Sequence, residues 1–252
     1  MVLPHDDVGD GPALVLLHAG VADRRMYAQH LQPLAEAGLR AIALDLPGYG
    51  DARVPDEEHV PHLDVIDTLD ELGIEQAALA GNSFGGAVAL RVAAVAPERV
   101  SALVLVSSPW ENIDVSPELA AAWEAESSAL EEGDVDAATA AVVDAWTLPD
   151  ADEELRRLVA EMQARAFATQ LAAPEPREGT DPLEVDPTLL RTLQMPALVL
   201  VGEHDMPDFH LAADELAQQL ANARRETISG AGHLAPLETP EAFRELVLGF
   251  VL

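Results

Sequence analysis

The chain has no cysteine and no lysine; all fourteen of its basic residues are arginine. Without cysteine there is no disulfide, no thiolate nucleophile and no cysteine-based metal site, a composition that fits a reducing compartment and leads us to expect a cytoplasmic protein. Aromatic residues are scarce, at 4%. No uninterrupted apolar run is long enough to cross a bilayer, and residues 1–10 carry acidic side chains and no basic stretch. Neither a membrane span nor a secretory leader is therefore expected. Positive charge is scarce too: 14 basic residues face 45 acidic ones, a formal net charge of −31. Such a surface repels nucleic-acid phosphates and anionic lipid headgroups, so neither is expected as a partner.

What is present is a core. With 252 residues, 49% of them hydrophobic, the chain can form one well-filled α/β domain. Ala13–Leu17 is a short apolar run of the kind buried on both faces of a sheet. A helix is expected from about Arg24 to Ala37, closed by Gly38, then a strand over Arg40–Leu46 and a tight loop over Pro47–Asp51. His59–Leu72 reads as a helix, with His59 and His62 on one of its faces rather than as metal ligands. Gln76–Ala80 and Val100–Val106 read as strands flanking a helix that begins near Ala87 and ends before Pro97. Strands alternating with helices imply a parallel sheet covered on both faces.

The alternation stops at Trp110. Residues 110–190 hold no convincing strand, only helical segments opened by Ser116-Pro117, by Asp134 and near Ala151, then a proline- and acid-rich loop over Pro174–Pro187. The pattern resumes with a strand over Pro196–Gly202, a helix over Phe209–Leu220 and a strand over Arg224–Ser229. Thr239-Pro240 then opens a closing helix, with the threonine as its cap. The expected organisation is a core of residues 1–109 and 191–252, with 110–190 inserted as a helical cap.

The chemistry centres on Gly81-Asn82-Ser83-Phe84-Gly85, a G-x-S-x-G corner between strand and helix. Glycines on either side let the two elements approach, and the turn lifts the serine hydroxyl toward the positive end of a helix. A serine hydroxyl needs a base within hydrogen-bond reach, and the base needs a carboxylate to hold its tautomer. Candidates beyond later strands are Asp205, with Glu203 and Asp208 as rivals, and His233. In open parallel sheets such groups gather beyond the strands' carboxyl ends.

These residues resemble the α/β-hydrolase family, in its cap-bearing ester, lactone and C–C hydrolase branch. Four motifs carry the resemblance: Leu17-His18-Ala19-Gly20, Asp45-Leu46-Pro47-Gly48-Tyr49-Gly50, the elbow Gly81–Gly86, and the paired loops Gly202–Asp205 and Gly232-His233. It covers residues 13–110 and 190–251. Two positions depart from it, Ala19 where glycine is usual and Ala52 where serine often stands, and the amino-terminal hairpin is nearly absent. The resemblance implies a triad of Ser83, Asp205 and His233, an oxyanion hole from the backbone N–H groups of Gly20 and Phe84, a structural His18 and a loop-fixing Glu238. It implies a serine hydrolase without cofactor or metal, acting on a small carboxylic ester or lactone. A C–C bond hydrolase of ring-cleavage products, whose dianionic substrate only Arg24 or Arg25 would meet in the core loops, and a hydrolase-fold binding protein are the alternatives. Trp123 and Trp146, within the insert, are expected to contact substrate.

Overall fold

The computed structural model describes residues 1–56, 58–110, 113–174 and 179–252. The apolar runs become strands β2 (Ala13–Leu17), β3 (Arg40–Leu44), β4 (Ala77–Asn82), β5 (Val100–Val106), β6 (Ala197–Gly202) and β7 (Ala223–Ile228). They pair in parallel in the order β3-β2-β4-β5-β6-β7. Successive residues of these strands feed two separate cores. Val15, Leu17, Leu103 and Leu105 face one side of the sheet, while Leu14, Leu16, Val104 and Val106 face the other. Burial on both faces is why the runs are continuous rather than alternating.

An additional strand, β1 (His5–Val8), pairs antiparallel with β3 at the sheet edge, in register His5 with Leu44 and Val8 with Ala41. The sequence shows no strand signal here, and the amino-terminal hairpin reads as nearly absent. The strand's residues, His-Asp-Asp-Val, offer neither an apolar run nor an alternation, and the backbone ladder alone recruits them. Edge strands tolerate such charge because one side faces solvent.

The helices fall close to expectation. A 3₁₀ turn at Arg24–Tyr27 precedes α1 (Ala28–Glu36), splitting what reads as one helix. Next come α2 (Pro61–Glu71) and α3 (Phe84–Val95). The insert forms α4 (Pro117–Glu131), α5 (Val135–Trp146), α6 (Glu153–Ala172) and the short α7 (Pro182–Val185). Ser116 and Asp134 cap α4 and α5 as expected, accepting from Leu119 N and Ala137 N. The loop expected over Pro174–Pro187 holds α7, and residues 175–178 of it lie outside the described residues. The chain closes with α8 (Pro207–Gln219), α9 (Ala235–Glu238) and α10 (Pro240–Val251). Thr239 does not cap α10 with its side chain; its hydroxyl donates instead to Ala235 O at 3.3 Å, one turn back. No described helix is long and apolar enough to cross a membrane.

The strand order reverses at β2. From β2 the chain passes to β3 on one side and then crosses to β4 on the other. The ends of β2 and β4 therefore open a crevice between connections running in opposite directions, the position at which open α/β sheets hold ligands.

His30 on α1 locks this helix to the segment after β7. Its ring packs edge-on against Phe243 at 5.0 Å and its Nε2–H donates to Pro236 O at 2.8 Å. Burial pushes the imidazole down to about 4, and its Nδ1 has no partner to receive a proton. The unfolded chain binds that proton near the ordinary value of about 6.5, so this group withdraws stability as pH falls from about 6.5 toward 4. Replacing His30→Gln should flatten the urea-unfolding free energy of the variant relative to the parent over that window. Parallel pH profiles for the two proteins would contradict the assignment.

Candidate active site

The elbow is built by close backbone approach. Ser83 sits at φ +50° and ψ −117°, between β4 and α3, with its N–H donating to Val106 O at 2.8 Å. A Cβ at Gly81 would lie 2.3 Å from the Gly85 carbonyl carbon, and one at Gly85 would lie 2.1 Å from Leu17 O. A Cβ at Gly86 would come within 2.8 Å of the Ser108 Cβ. These three glycines let α3 rest directly on the ends of β2 and β4. Ser83 itself remains partly exposed.

His18 shapes the loop after β2. Wholly buried, it donates from Nδ1 to Ala19 O at 2.8 Å and accepts the Leu46 N–H on Nε2 at 2.9 Å. Both ring nitrogens are used and burial pushes the imidazole down, so the group acts as a neutral clamp between the loops after β2 and β3. Ala19 fits the loop without disturbance, its carbonyl accepting from His18 and from Ala22 N at 3.0 Å. Gly20 follows with Phe84 Cβ and Tyr49 Oη each 3.5 Å from where its own Cβ would stand. Phe84, the first residue of α3, has an N–H with no acceptor inside the helix. Gly20 N–H donates no hydrogen bond among the described residues.

The loops after β6 and β7 bring Asp205 and His233 together. His233 Nδ1 lies 3.0 Å from Asp205 Oδ1 and 3.2 Å from Oδ2. An ionised carboxylate can only accept, so Nδ1 donates to it and Nε2 is the ring nitrogen not engaged by Asp205. Met206 N–H donates to the same Oδ1 at 2.8 Å, which fixes the carboxylate. The rival carboxylates serve elsewhere: Glu203 accepts from Ser229 Oγ at 2.7 Å and Gly230 N at 2.9 Å, and Asp208 accepts from Ser116 N at 2.8 Å. The imidazole of His233 is wedged between Phe209 and Trp146, with ring centroids 4.3 and 4.5 Å away.

Asn82 is a tie that sequence reasoning did not single out. Its amide donates to Val106 O at 3.2 Å and to His233 O at 3.1 Å, so the residue before the serine holds the backbone of the histidine loop. An amide inside an apolar strand is the signal that was available, since a buried amide must find partners. No hydrogen bond joins Ser83 Oγ to His233 among the described residues; such bonds are often long before substrate arrives.

The two tryptophans part company. Trp146 is 8% exposed and lines a cavity of about 470 Å³ with Asp205, His233, Leu148 and His204. Trp123 is 50% exposed and lines neither this cavity nor the one beside Phe84. The inward face of α4 runs through Leu119, Ala122, Glu126 and Ala129, and Trp123 lies beyond its edge, roughly 80° from its centre. Its direct contact with a substrate in this crevice has no support in the geometry.

Glu238 accepts from Gly232 N at 2.8 Å and Leu148 N at 3.1 Å, joining the histidine loop to the turn after α5. Burial pushes its carboxyl up, against the pull of those two donors. Glu238→Ala would leave both N–H groups without acceptors, and each such loss costs about 1–3 kcal/mol. Urea unfolding should register a loss of at least about 2 kcal/mol, with Glu238→Gln, which retains one acceptor oxygen, losing less. A loss in Glu238→Ala below about 0.5 kcal/mol would mean that water replaces the carboxylate freely.

Residues 14–246 match the model of a family described as the alpha/beta hydrolase family. The chain is 33% identical to 2-hydroxymuconate semialdehyde hydrolase from Pseudomonas putida over 264 residues, covering 97% of this chain and 89% of the relative. It is 29% identical to carboxylesterase YbfK from Bacillus subtilis, covering 96% and 81%. Among solved structures, a hydrolase from Pseudomonas aeruginosa matches with TM-score 0.79 and 27% identity, covering 98% of this chain and 93% of that one. The enol-lactonase from Burkholderia xenovorans shares the fold with TM-score 0.80 at 24% identity, covering 99% and 96%. With its mostly parallel sheet, its elbow after β4 and this extent of similarity, the chain belongs to the alpha/beta hydrolase family.

Proposed function

We propose that this protein is a serine hydrolase of carboxylic esters or lactones, working through an acyl-enzyme on Ser83. The observation that carries the reading is the His233–Asp205 pair, set by Asn82 against the strand that ends in the strained Ser83 elbow. In this reading Ser83 Oγ attacks the ester carbonyl while its proton passes to His233 Nε2. Asp205 stabilises the resulting imidazolium. The N–H groups of Gly20 and Phe84 receive the oxyanion, each donor being worth about 3 kcal/mol. Collapse of the adduct breaks the bond to the leaving alkoxide, which takes the proton back from His233 as alcohol. Water then attacks the acyl-enzyme, with His233 again as base, and releases the acid and free Ser83. Residues 110–190 act as a cap that shields this chemistry from solvent, with Trp146 against His233 as its contact with the base.

Charge supports a neutral ester or lactone over a dianionic ring-cleavage product. Arg24 is engaged by Asp6, Asp45 and Asp51, and Arg25 by Asp23, so neither guanidinium is free to clamp a carboxylate. Hydrolysis of a C–C bond is the second reading, favoured by the 33% identity to the semialdehyde hydrolase. Comparing kcat/KM for short p-nitrophenyl esters, simple lactones and a hydroxylated dienoate ketone separates the two. Turnover confined to the ketone would favour the second.

Ser83→Ala should abolish labelling by a fluorophosphonate and lower kcat by about 10⁴-fold or more while preserving the melting temperature. Retained labelling would remove the elbow from the mechanism. Asp205→Asn should cost far more kcat than Asp208→Asn or Glu203→Gln, because only the carboxylate on His233 meets the imidazolium. Equal losses at the three positions would move the acid elsewhere.

A further inference from the structure

A second cavity, also of about 470 Å³, has Phe84 in its wall and runs along α3. Phe84, Ala87, Val88 and Arg91 form one face of that helix and line it together. Seven residues of helix separate Phe84 from Arg91, a rise of about 10 Å. The end next to the elbow is apolar: the Tyr49 and Phe84 rings lie 6.1 Å apart there, with Val54 beside Gly48. The far end is polar. There Arg91 is ion-paired with Asp181. The charge is balanced between them, and exposed Glu184 adds a further negative charge to the lining. An anionic group would be unwelcome.

His62 on α2 lines the same cavity and is only 4% exposed. Neither of its ring nitrogens has a hydrogen-bond partner among the described residues. Burial pushes the imidazole below its ordinary range, against the pull of Asp181, so at neutral pH it presents one N–H and one lone pair. Its nitrogens are not among the buried unpaired atoms, so they are open to the cavity and have a donor and an acceptor to offer a ligand there. The expected helix face shared by His59 and His62 does not form: α2 begins at Pro61, so His59 stands before the helix beside Asp64, and only His62 lies on it.

We propose that this cavity is the subsite for the acyl tail of the substrate, and that His62 recognises an uncharged hydroxyl near the tail's distal end. The substrate class is then a medium-chain hydroxyacyl ester, the tail leaving Ser83 past Phe84 and Tyr49. A hydroxyl both donates and accepts, so it can pair with the imidazole in either tautomer. A chain of about eight carbons matches the length from Phe84 to Arg91. This inference rests on the ester-hydrolase reading above.

The test compares kcat/KM for p-nitrophenyl octanoate, p-nitrophenyl 8-hydroxyoctanoate and the p-nitrophenyl half-ester of octanedioic acid, in the parent, His62→Phe and His62→Gln. The parent should favour the hydroxylated ester over the plain one by about five- to tenfold, the worth of one hydrogen bond to a buried group, and should handle the half-ester worst. His62→Phe should bring the hydroxyl preference to unity or below, while His62→Gln, which can both donate and accept, should retain part of it. Because each ratio is taken within one protein, a general loss of activity or fold in one variant cancels, and His62→Gln provides the reading if His62→Phe does not fold. A parental ratio near unity, or a preference unchanged in His62→Phe, overturns the subsite. Parental p-nitrophenyl acetate turnover and fluorophosphonate labelling distinguish the two levels. If both are present and the ratio is flat, only the subsite falls; if both are absent, the ester reading falls and takes the subsite with it.

Discussion

The candidate site depends on how closely α3 can come to the sheet. A methyl group at Gly85 would overlap the carbonyl of Leu17 at the end of β2, and one at Gly81 would overlap the start of α3. With neither present, the helix rests on the strand ends and Ser83 is pushed into the left-handed region at φ +50°. A non-glycine residue in that conformation costs of order 1–3 kcal/mol and persists only where its surroundings over-determine it. Here the Ser83 N–H is held by Val106 O, and Asn82 beside it is held by two carbonyls. The same contacts bring the loop after β2 close to Phe84, near enough that a Cβ at Gly20 would touch its side chain at 3.5 Å.

A second layer of constraint ties the inserted helices to the core loops. Glu238 reaches Leu148 after α5, Asp208 reaches Ser116 before α4, and Gln170 on α6 donates to Gly48 O at 3.3 Å. Arg165 on α6 pairs with Asp51, which also holds Arg24. These ties join the insert to the core through loops that carry Asp205, His233 and Tyr49. The chain's scarcity of cations bears on this directly. With 14 arginines for 45 carboxylates, Arg24 alone is shared among three aspartates. Little positive charge is left over to attract anions to the surface.

Much of this architecture is legible in the sequence because its signals are local. Apolar runs bounded by turns specify β2 through β7, since a strand buried on both faces needs no partner to be recognised. Proline and the capping residues Ser116 and Asp134 locate helix starts within a few residues for the same reason. The G-x-S-x-G corner is readable because its glycines answer a steric demand within a few residues. What escaped is non-local. The strand β1 exists only because β3 offers it an unpaired edge, and Trp123 faces outward because the seating of α4 turns its neighbours inward.

Residue identity and order thus determined the α/β alternation, the elbow and the set of groups able to act as nucleophile, base and acid. The resemblance points to Asp205 by its position, and tertiary structure adds the partners: His233 Nδ1 for Asp205, Ser229 and Gly230 for Glu203, and Ser116 N for Asp208. Tertiary structure also gave Asn82 its tie to the His233 loop, 151 residues away, and turned His62 from a helix-face residue into the wall of a cavity. The reason is physical: hydrogen-bond partners and cavity walls are assembled from segments far apart in the chain, and their geometry arises only when the sheet brings its loops to one edge.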